Sequence, residues 1–418
     1  MSASAGAAQW NANDDTTLRS ALINAAHGDL LNFTSSITVV GSDLPAIVKN
    51  LTIIGNNHVL SGANQYRGLF AYSGSSLIAK LNIGQTLARG GSGGSGRNAG
   101  GGGAGLGGGL FVAAGASVSI VNVQFFSSTA VGGTGGSEHL GVPGDGGGGG
   151  MGGNGGSGGR SGDGGLGSAT HGGGGPTQSN PGGVGIVTGA APGGTGVALG
   201  GAGGGGGGGG SRASGGFGGG GGAGGIIHPP RIQSNDGGFG AGRSGHYAGG
   251  GGAGMGGAVF VMQGGSLTIA GNTTQSGGNA WGGAAGNVAI SASPGQNGSA
   301  FGVGMFLQGN GSLSFSPADA GQTQSFADTI ADQSGSGGTG ANAGSWAVVK
   351  SGAGTLRLGG DNTHTGGTQL VAGTLQTASS TALGSAGALT FSGGTLQVTA
   401  AAGTLARGVT FNAGAARF

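Results

Sequence analysis

The chain has 418 residues, of which 119 are glycine; charged residues account for 6%, aromatic residues for 5%, and there is no cysteine. These numbers exclude disulfide frameworks and thiolate metal sites, and 14 basic against 12 acidic residues do not supply the clustered lysine and arginine that nucleic-acid binding requires. Because charge this low does not suit a solvated, self-repelling coil, a regular structure is expected to order the glycines.

The first 86 residues predict a cap and the first turns of a stack of strands. Residues 16–26 have the one convincing helical pattern of the chain, with Asp15 or Thr16 available as N-cap. Gly28 is the expected C-terminal stop. Short β-rich runs punctuated by Gly, Asn, Asp and Pro follow, at 30–33, 37–40, 51–54, 58–60, 69–72 and 77–83.

A phrase of two short strands joined by a glycine or asparagine corner begins at Leu110 and recurs from Val259 and from Met305. Each copy ends in an alternation that places apolar side chains on one face of the strand. The residues expected to point inward are Val118, Ile120, Leu267, Ile269, Leu313 and Phe315. Those expected to point outward are Ser119, Thr268 and Ser314. Such repetition is typical of a solenoid, in which each turn, or rung, stacks on the next.

The C-terminal part repeats at shorter intervals. Gly-Thr-Leu occurs at 354, 373 and 394, which are 19 and 21 residues apart. A coil of about 20 residues per turn predicts a right-handed parallel β-helix, and the fold class is therefore all-β.

A long glycine-rich insertion separates the first two copies of the phrase. From Val142 to Leu166 every third residue varies and the other two positions are almost all glycine. A period of three predicts a bundle of polyglycine-II-type helices whose backbone groups pair with one another. Met151, Leu166, Phe217 and Ile226 are expected to form a thin apolar seam in it. The predicted units are an N-terminal cap with the first rungs at 1–86, the insertion at 87–256 interrupted by a rung at 108–126, and C-terminal rungs at 257–418.

Two segments resemble right-handed β-helix surface proteins of Gram-negative bacteria. Residues 17–83 resemble their first rungs, for example in Leu44-Pro45-Ala46-Ile47-Val48-Lys49-Asn50-Leu51-Thr52-Ile53-Ile54-Gly55. Residues 349–375 are similar, nearly position for position, to the autotransporter-associated β-strand repeat, with His364 where an aromatic residue is usual. The resemblance implies an autotransporter passenger at the cell surface, anchored through a C-terminal membrane barrel. Neither that barrel nor a signal peptide is recognisable in this sequence, so a truncated passenger is expected.

The alternative interpretation is a polysaccharide lyase or hydrolase on a β-helix. A glycosidase needs two carboxylates about 5–10 Å apart, and the best candidates are Asp328 and Asp332, which flank Ile330. They are expected to be structural, because no base, nucleophile or repeating acidic register accompanies them. The near match of Gly158–Asp163 to a calcium-binding repeat is broken at Ser161 and does not recur. No catalysis, cofactor or metal is therefore predicted.

The densest polar and aromatic cluster of the insertion is the best candidate for recognition. It comprises His228, Arg231, Asn235, Asp236, Arg243, His246 and Tyr247, and Pro229-Pro230 stiffens it. Such residues on a rigid support suit glycan or protein surfaces; a solvated loop joining two glycine helices is the alternative. Trp10, Trp281 and Trp346 are candidate sugar platforms, with stacking or capping as their alternative. The predicted function is a non-catalytic adhesin that binds a host or abiotic surface through a glycan or surface protein, or that self-associates.

Overall fold

The structure is a computed structural model that describes residues 7–139, 146–151, 154–155, 214–228, 231–288, 293–399 and 407–412. The first half of the described chain contains β1 Gln9–Ala12, α1 Asp15–Asn24, β2 Leu30–Phe33, β3 Ile37–Thr38, β4 Thr52–Ile54, β5 Val59–Ser61, β6 Leu69–Ala79, β7 Asn82–Arg89, β8 Gly105–Leu106, β9 Leu110–Val121, β10 Gln124–Val131, β11 Ala223–His228, β12 Arg231–Ser234, β13 Gly254–Met255 and β14 Val259–Val261. The second half contains β15 Ser266–Ala270, β16 Thr274–Ser276, β17 Asn279–Trp281, β18 Ala300–Phe301, β19 Met305–Leu307, β20 Gly311–Ser316, β21 Thr323–Phe326, β22 Ile330–Asp332, β23 Trp346–Lys350, β24 Thr355–Leu358, β25 Thr368–Leu370, β26 Thr374–Thr377, β27 Leu389–Phe391, β28 Thr395–Val398 and β29 Val409–Phe411, with short 3-10 turns at Ser334–Ser336, Gly340–Asn342 and Ser380–Leu383.

Two long parallel sheets run the length of the molecule. One has the order β1-β2-β4-β6-β9-β15-β20-β23-β25-β27-β29, and the other β3-β5-β7-β10-β16-β21-β24-β26-β28. A third face of the coil consists of paired strands in the order β9-β14-β19-β22. Parallel strands joined by crossovers are nearly always right-handed. The predicted right-handed parallel β-helix is confirmed.

The interior of the coil consists of columns of stacked side chains. Ile78, Ile120, Ile269 and Phe315 pair in succession across four rungs. All six side chains predicted to point inward are at most 3% exposed, whereas Ser119 and Thr268 are exposed and Ser314 is half-buried. The three Gly-Thr-Leu phrases also stack, because Leu356, Leu375 and Leu396 are register partners. The repeat pattern therefore predicted which face of each strand is buried.

The N-terminal helix begins one residue earlier than predicted. Asp14, rather than Asp15 or Thr16, is the N-cap: its Oδ1 accepts from the backbone N of Thr17 at 2.8 Å, and Thr17 Oγ1 accepts from the backbone N of Asp14 at 3.1 Å. This reciprocal pair satisfies two N–H groups that the first turn leaves free. The helix ends at Asn24 with Ala25 as C-cap, so Gly28, at φ +91°, lies beyond it rather than stopping it.

Strand boundaries also differ from the prediction in two places. The first copy of the repeated phrase is one continuous strand, β9, whereas the later copies are interrupted at Gly264 and Gly309, both at positive φ. The runs predicted at 69–72 and 77–83 are redistributed, because β6 continues through the polar residues between them. Each polar stretch remains extended since it pairs with the neighbouring rung, here β9.

Two polar residues lie inside the coil within the C-terminal repeat. Lys350 occupies the column of Phe315 and Leu370. Its Nζ donates to the carbonyls of Ser351, Gly352 and Ala372 at 2.7–2.9 Å, and burial lowers its pKa to about 8. His364 is fully buried. The Thr368 hydroxyl donates its hydrogen bond to the Leu383 carbonyl, so it can only accept from His364, whose Nε2–H donates to Thr368 Oγ1 at 3.1 Å.

His364 makes the stability of the protein sensitive to acid. Burial lowers its pKa to about 4 from 6.5. Since the unfolded chain takes up the proton first, the free energy of unfolding should fall by about 3 kcal/mol as pH drops from about 6.5 to about 4, and should not depend on this group above that window. Urea unfolding at a series of pH values should show a shallower dependence for His364→Gln. His139→Gln, at an exposed position, should follow the parent; parallel curves for all three would contradict the assignment.

Candidate functional site

Three successive rungs send glycine-rich segments outward from the β-helix. After β7, β10 and β17, the segments at 90–96, 132–138 and 282–287 leave side by side, joined by backbone hydrogen bonds at every third residue. Returning segments lead into β8, β13 and β18, which form a small parallel sheet of their own. The sequence pattern had placed the insertion before 257, and the structure adds residues 282–288 and 293–299 to it. We call the assembled segments the glycine array; its described parts are 90–104, 132–139, 146–151, 154–155, 214–222, 248–254, 282–288 and 293–299.

Lines of backbone hydrogen bonds cross the whole array. One line runs, donor to acceptor, from Gly298 through Gly283, Gly252, Gly133, Gly103 and Gly91 to Gly150, with N–O distances of 2.7–2.8 Å. A second line lies three residues further from the β-helix on each segment. It joins Gly286, Gly249, Gly136, Gly100, Gly94 and Gly147 at 2.8–3.0 Å. Backbone groups buried among glycines are thereby satisfied without strands. In such a chain each bond polarises the next.

The segments are packed too closely for any side chain at these glycines. A Cβ atom on Gly252 would lie 1.9 Å from the carbonyl oxygen of Gly103, and one on Gly133 would lie 2.0 Å from that of Gly91. Gly155 is equally confined, with the carbonyl oxygen of Gly147 at 2.0 Å. All three carbonyl oxygens belong to residues of the hydrogen-bonded lines, so none can move away without breaking a bond. Glycine at two of three positions is therefore a packing requirement of the array.

A second hydrophobic core fastens the array to the β-helix. Phe70, Phe111, Phe260 and Phe306, on β6, β9, β14 and β19, point away from the coil and stack with ring centroids 4.6–5.7 Å apart. From the array side they are covered by Met151, Met255, Phe217, Phe239 and Phe301. The guanidinium of buried Arg67 lies 5.6 Å from the Phe70 ring, and burial lowers its pKa. The β-helix is thus apolar on both sides of these strands.

Two of the four residues predicted to form an apolar seam, Met151 and Phe217, lie in this second hydrophobic core. Met151 is 3% exposed within this core, and Phe217 packs against the core as a half-buried ring. These residues were predicted to join glycine segments to one another. Instead, they join the array to the phenylalanine stack. Leu166 and the side chain of Ile226 lie outside the described residues. The sequence signal that had been missed is the apolar triplet itself: three consecutive apolar residues, as in Val259-Phe260-Val261, indicate a strand buried on both faces.

The candidate recognition residues gather at the far end of the array. The carbonyl of Tyr247 accepts from the N–H of Ala99, at the turn between the outgoing segment 90–96 and its return. Next to this turn begins the antiparallel hairpin of β11 and β12, with Ala223 bonded to the Ala99 carbonyl and His228 opposite Arg231. We call β11, β12 and residues 235–247 the tip. The side chains of His228 and Arg231 lie outside the described residues.

Within the tip the candidates divide into supporting and exposed residues. Asn235 was expected to be exposed but is only 6% exposed: its side-chain Nδ2 donates to the carbonyl of Gly222 at 2.7 Å, and Ser244 Oγ accepts from its N–H. Asp236 and Arg243 are exposed and form an ion pair at 3.3 Å. His246 and Tyr247 are half-buried, with their rings edge to face at 6.1 Å. A surface of opposite charges beside two aromatic rings results.

The two candidate catalytic aspartates are held in structural hydrogen bonds. Asp332 is fully buried and accepts from the backbone N–H groups of Gly335, Trp346 and Thr365 at 2.6–2.9 Å. Asp328 accepts from Gln275 Nε2 and from the Gly278 N–H at 2.5–2.6 Å. In the described ranges no three His, Asp or Glu side chains are grouped to hold a metal ion.

Replacing Asp332 should therefore affect folding rather than turnover. In Asp332→Ala three backbone N–H groups, at buried Trp346 and at half-buried Gly335 and Thr365, lose their acceptor, and a buried group left unsatisfied costs on the order of 1 kcal/mol or more. We expect the free energy of unfolding to fall by about 2–3 kcal/mol, measured by urea denaturation. Asp319→Ala removes an exposed carboxylate in the preceding rung and should change it by less than about 0.5 kcal/mol. Equal stability of both variants would contradict the assigned role.

Two of the three candidate tryptophan platforms are internal to the fold. Trp346 is buried and donates its Nε1–H to the Gln308 carbonyl, and Trp10 donates to Asp29 Oδ2 at 2.9 Å. Trp281 is 61% exposed at the base of the array. It is the most exposed of the three, since Trp10 is half-buried.

Residues 348–376 match the family model described as the passenger-associated-transport-repeat. No curated protein and no solved structure matches the chain. The matched repeat covers β24, β25 and their neighbours in the coil, as the sequence resemblance predicted. Set in a long parallel β-helix, it supports an autotransporter passenger domain.

The same repeat implies export to the cell surface or the extracellular space. Among the described residues no helix has the length and hydropathy needed to cross a lipid bilayer.

Proposed function

We propose that this passenger is a non-catalytic adhesin, in which the β-helix carries a rigid glycine array that presents the tip to a surface glycan or a surface protein. The observation that carries the proposal is the construction of the array. Two hydrogen-bonded lines cross it and a phenylalanine stack anchors it, so it projects a small set of polar and aromatic side chains on a stiff support. Binding residues on a rigid scaffold lose little entropy on contact with a ligand.

We further infer that the segments of the array are polyglycine-II-type helices. Their hydrogen bonds recur at every third residue, which is the number of residues per turn in that helix. At a rise of about 3.1 Å per residue, a segment of seven or eight residues places the tip roughly 20–25 Å from the β-helix. That distance gives the tip clear access to a flat surface.

The tip offers charge, hydrogen-bonding groups and aromatic rings in one patch. Asp236 and Arg243 are exposed, so their ion pair can open to partners at little cost. Tyr247 and His246 supply flat, partly buried rings of the kind that is enriched in binding surfaces. The engagement of Asp328 and Asp332 in structural bonds supports a binding function rather than hydrolysis.

The test is adhesion of beads coated with the purified chain to a cultured epithelial layer and to glass. We expect Arg243→Ala with Tyr247→Ala to lower the number of bound beads about tenfold, because such residues commonly dominate binding energy. Arg357→Ala removes an exposed charge from the β-helix instead and should leave adhesion unchanged. Unchanged adhesion of the tip variant, with its array still protected from hydrogen exchange, would overturn the proposal.

Self-association is distinguished in the same experiment. If the tip mediates contact between copies of the chain, the tip variant should stop beads from clumping with one another while bead-to-cell attachment remains as in the parent. That result would replace a foreign ligand with a second passenger as the partner.

A further inference from the structure

A polar groove on the side of the β-helix is the second place at which this protein has the geometry of a binding site. It has a volume of about 510 Å³ and lies at the corner between the two long sheets, where successive rungs turn. Eight residues line it, and those used below are Asn57, Lys80, Asn82, Asn122 and Asn272. Lys80 is the one charged residue of the lining, and no lining residue is acidic.

The orientation of two of the amides is determined by the backbone. Asn122 Oδ1 accepts from the N–H of Asn272 at 2.7 Å, and Asn272 Oδ1 accepts from the N–H of Thr323 at 2.7 Å. A backbone N–H can only donate, so each side-chain oxygen is committed and each Nδ2, with two N–H bonds, is left for the groove. The groove is therefore rich in donors for a structural reason.

Lys80 adds a cation to these donors from an unusual backbone conformation. Its φ is +52°, and Asn57 and Asn122, in the neighbouring rungs, have φ of +64° and +54°. Asparagine adopts this region readily, whereas a lysine there is strained. The lysine thus stands where the turn favours asparagine or glycine, and strain of this kind is concentrated at functional positions.

Asn82 completes the set with an acceptor. Its Nδ2 donates to the Asn57 carbonyl at 2.7 Å, which leaves Oδ1 for a ligand hydroxyl. The rungs are about 4.8 Å apart, so the donors form a row along the solenoid axis. Such a row suits an extended ligand that carries both anionic groups and hydroxyls.

From this arrangement we infer that the groove binds an acidic glycan, a chain of carboxylate-bearing sugars lying along the β-helix axis. Lys80 and the Nδ2 groups of Asn122 and Asn272 bind the carboxylates, and Asn82 Oδ1 accepts from a hydroxyl. Val123 is the one aliphatic residue in the lining, which does not suit a peptide, since peptides need apolar anchors. The site is independent of the tip.

Asn122→Asp is the sharpest test, because the carboxylate can still accept from the Asn272 N–H while the donor is replaced by a negative charge. Lys80→Asn removes the cation and relieves the positive-φ strain, so it should fold at least as well as the parent. Arg89→Gln removes the same charge from an exposed position at the other end of β7 and is the matched control. Binding of the full chain to oligogalacturonate, neutral dextran oligosaccharide and an oligo-dT strand is measured by calorimetry at low salt.

We expect oligogalacturonate to bind at least about tenfold more tightly than dextran or oligo-dT, and binding to weaken with added salt. Asn122→Asp and Lys80→Asn should each weaken it about tenfold, with unchanged thermal unfolding, whereas Arg89→Gln should change it less than about twofold. If dextran bound as tightly as oligogalacturonate, the proposed role of the carboxylates would be overturned. If oligo-dT bound as tightly as oligogalacturonate, the choice of a glycan as the ligand would be overturned. An equal loss of binding in Arg89→Gln would mean that exposed cations in general attract the glycan, and would overturn the groove.

Discussion

Replacing Gly133 by alanine is expected to lower the free energy of unfolding of the glycine array by about 3 kcal/mol or more. The added Cβ would lie 2.0 Å from the Gly91 carbonyl oxygen. The N–H and carbonyl of Gly133 also belong to the hydrogen-bonded line from Gly298 to Gly150. Separating the segments to relieve the clash would therefore lengthen bonds on both sides of the substitution.

Gly115→Ala provides the matched control. Gly115 lies in strand β9, where a Cβ would have its nearest neighbour at 3.6 Å, an ordinary contact. Thermal unfolding and hydrogen exchange of both variants separate packing from a general effect of alanine. We expect Gly133→Ala to lose protection across the array and Gly115→Ala to retain it. Equal protection in the two variants would mean that the segments are not packed against one another.

Replacing Phe260 by alanine should destabilise the protein by about 3–5 kcal/mol, the usual cost of a large cavity. Phe260 is fully buried and lies between the rings of Phe111 and Phe306, at 5.2 and 5.7 Å. On its outer side Phe217 of the array meets it edge to face at 6.2 Å. The variant removes the centre of the contact between the β-helix and the array.

Urea denaturation of Phe260→Ala, Phe260→Leu and Phe411→Ala measures this effect. Leucine fills part of the cavity and should restore about half of the lost stability. Phe411 is 46% exposed on the last described strand, so its removal should cost less than about 1 kcal/mol. If Phe260→Ala were no less stable than Phe411→Ala, the phenylalanine stack would not be what holds the array.

The β-helix could be predicted from sequence because every rung has to bury the same face of its strands, so the same alternation of apolar and polar residues recurs. Leu267 and Ile269 alternate with polar neighbours, and the phrase recurs wherever the coil passes the same face, so the inward side chains were identified correctly. The exact ends of the helix and strands were harder to predict. Asp14 and Asp15 are both able to cap a helix, and only the reciprocal bond with Thr17 selects Asp14.

The attachment of the array could not be read from the same pattern. Phe260 lies between two inward-facing valines and was grouped with the coil, although it points the other way. Residues 282–299 contain alanine, serine and asparagine among the glycines, which obscured their period of three. Asn235 belongs to a polar run typical of a solvated loop, and nothing local indicates that the Gly222 carbonyl lies within reach of its amide. These are contacts between segments distant in the chain.

Hydrogen exchange of the intact chain tests the central claim, the ordered glycine array, most directly. The amides of Gly133, Gly252 and Gly283 donate in one line, and those of Gly136, Gly249 and Gly286 in the other. We predict that these six exchange at rates close to those of the β-helix interior, represented by Ile120 and Ile269, because they open only when the array separates. Exchange of the six at random-coil rates, with Ile120 and Ile269 still protected, would show that the array does not exist as a rigid support, and the proposed role of the tip would fall with it.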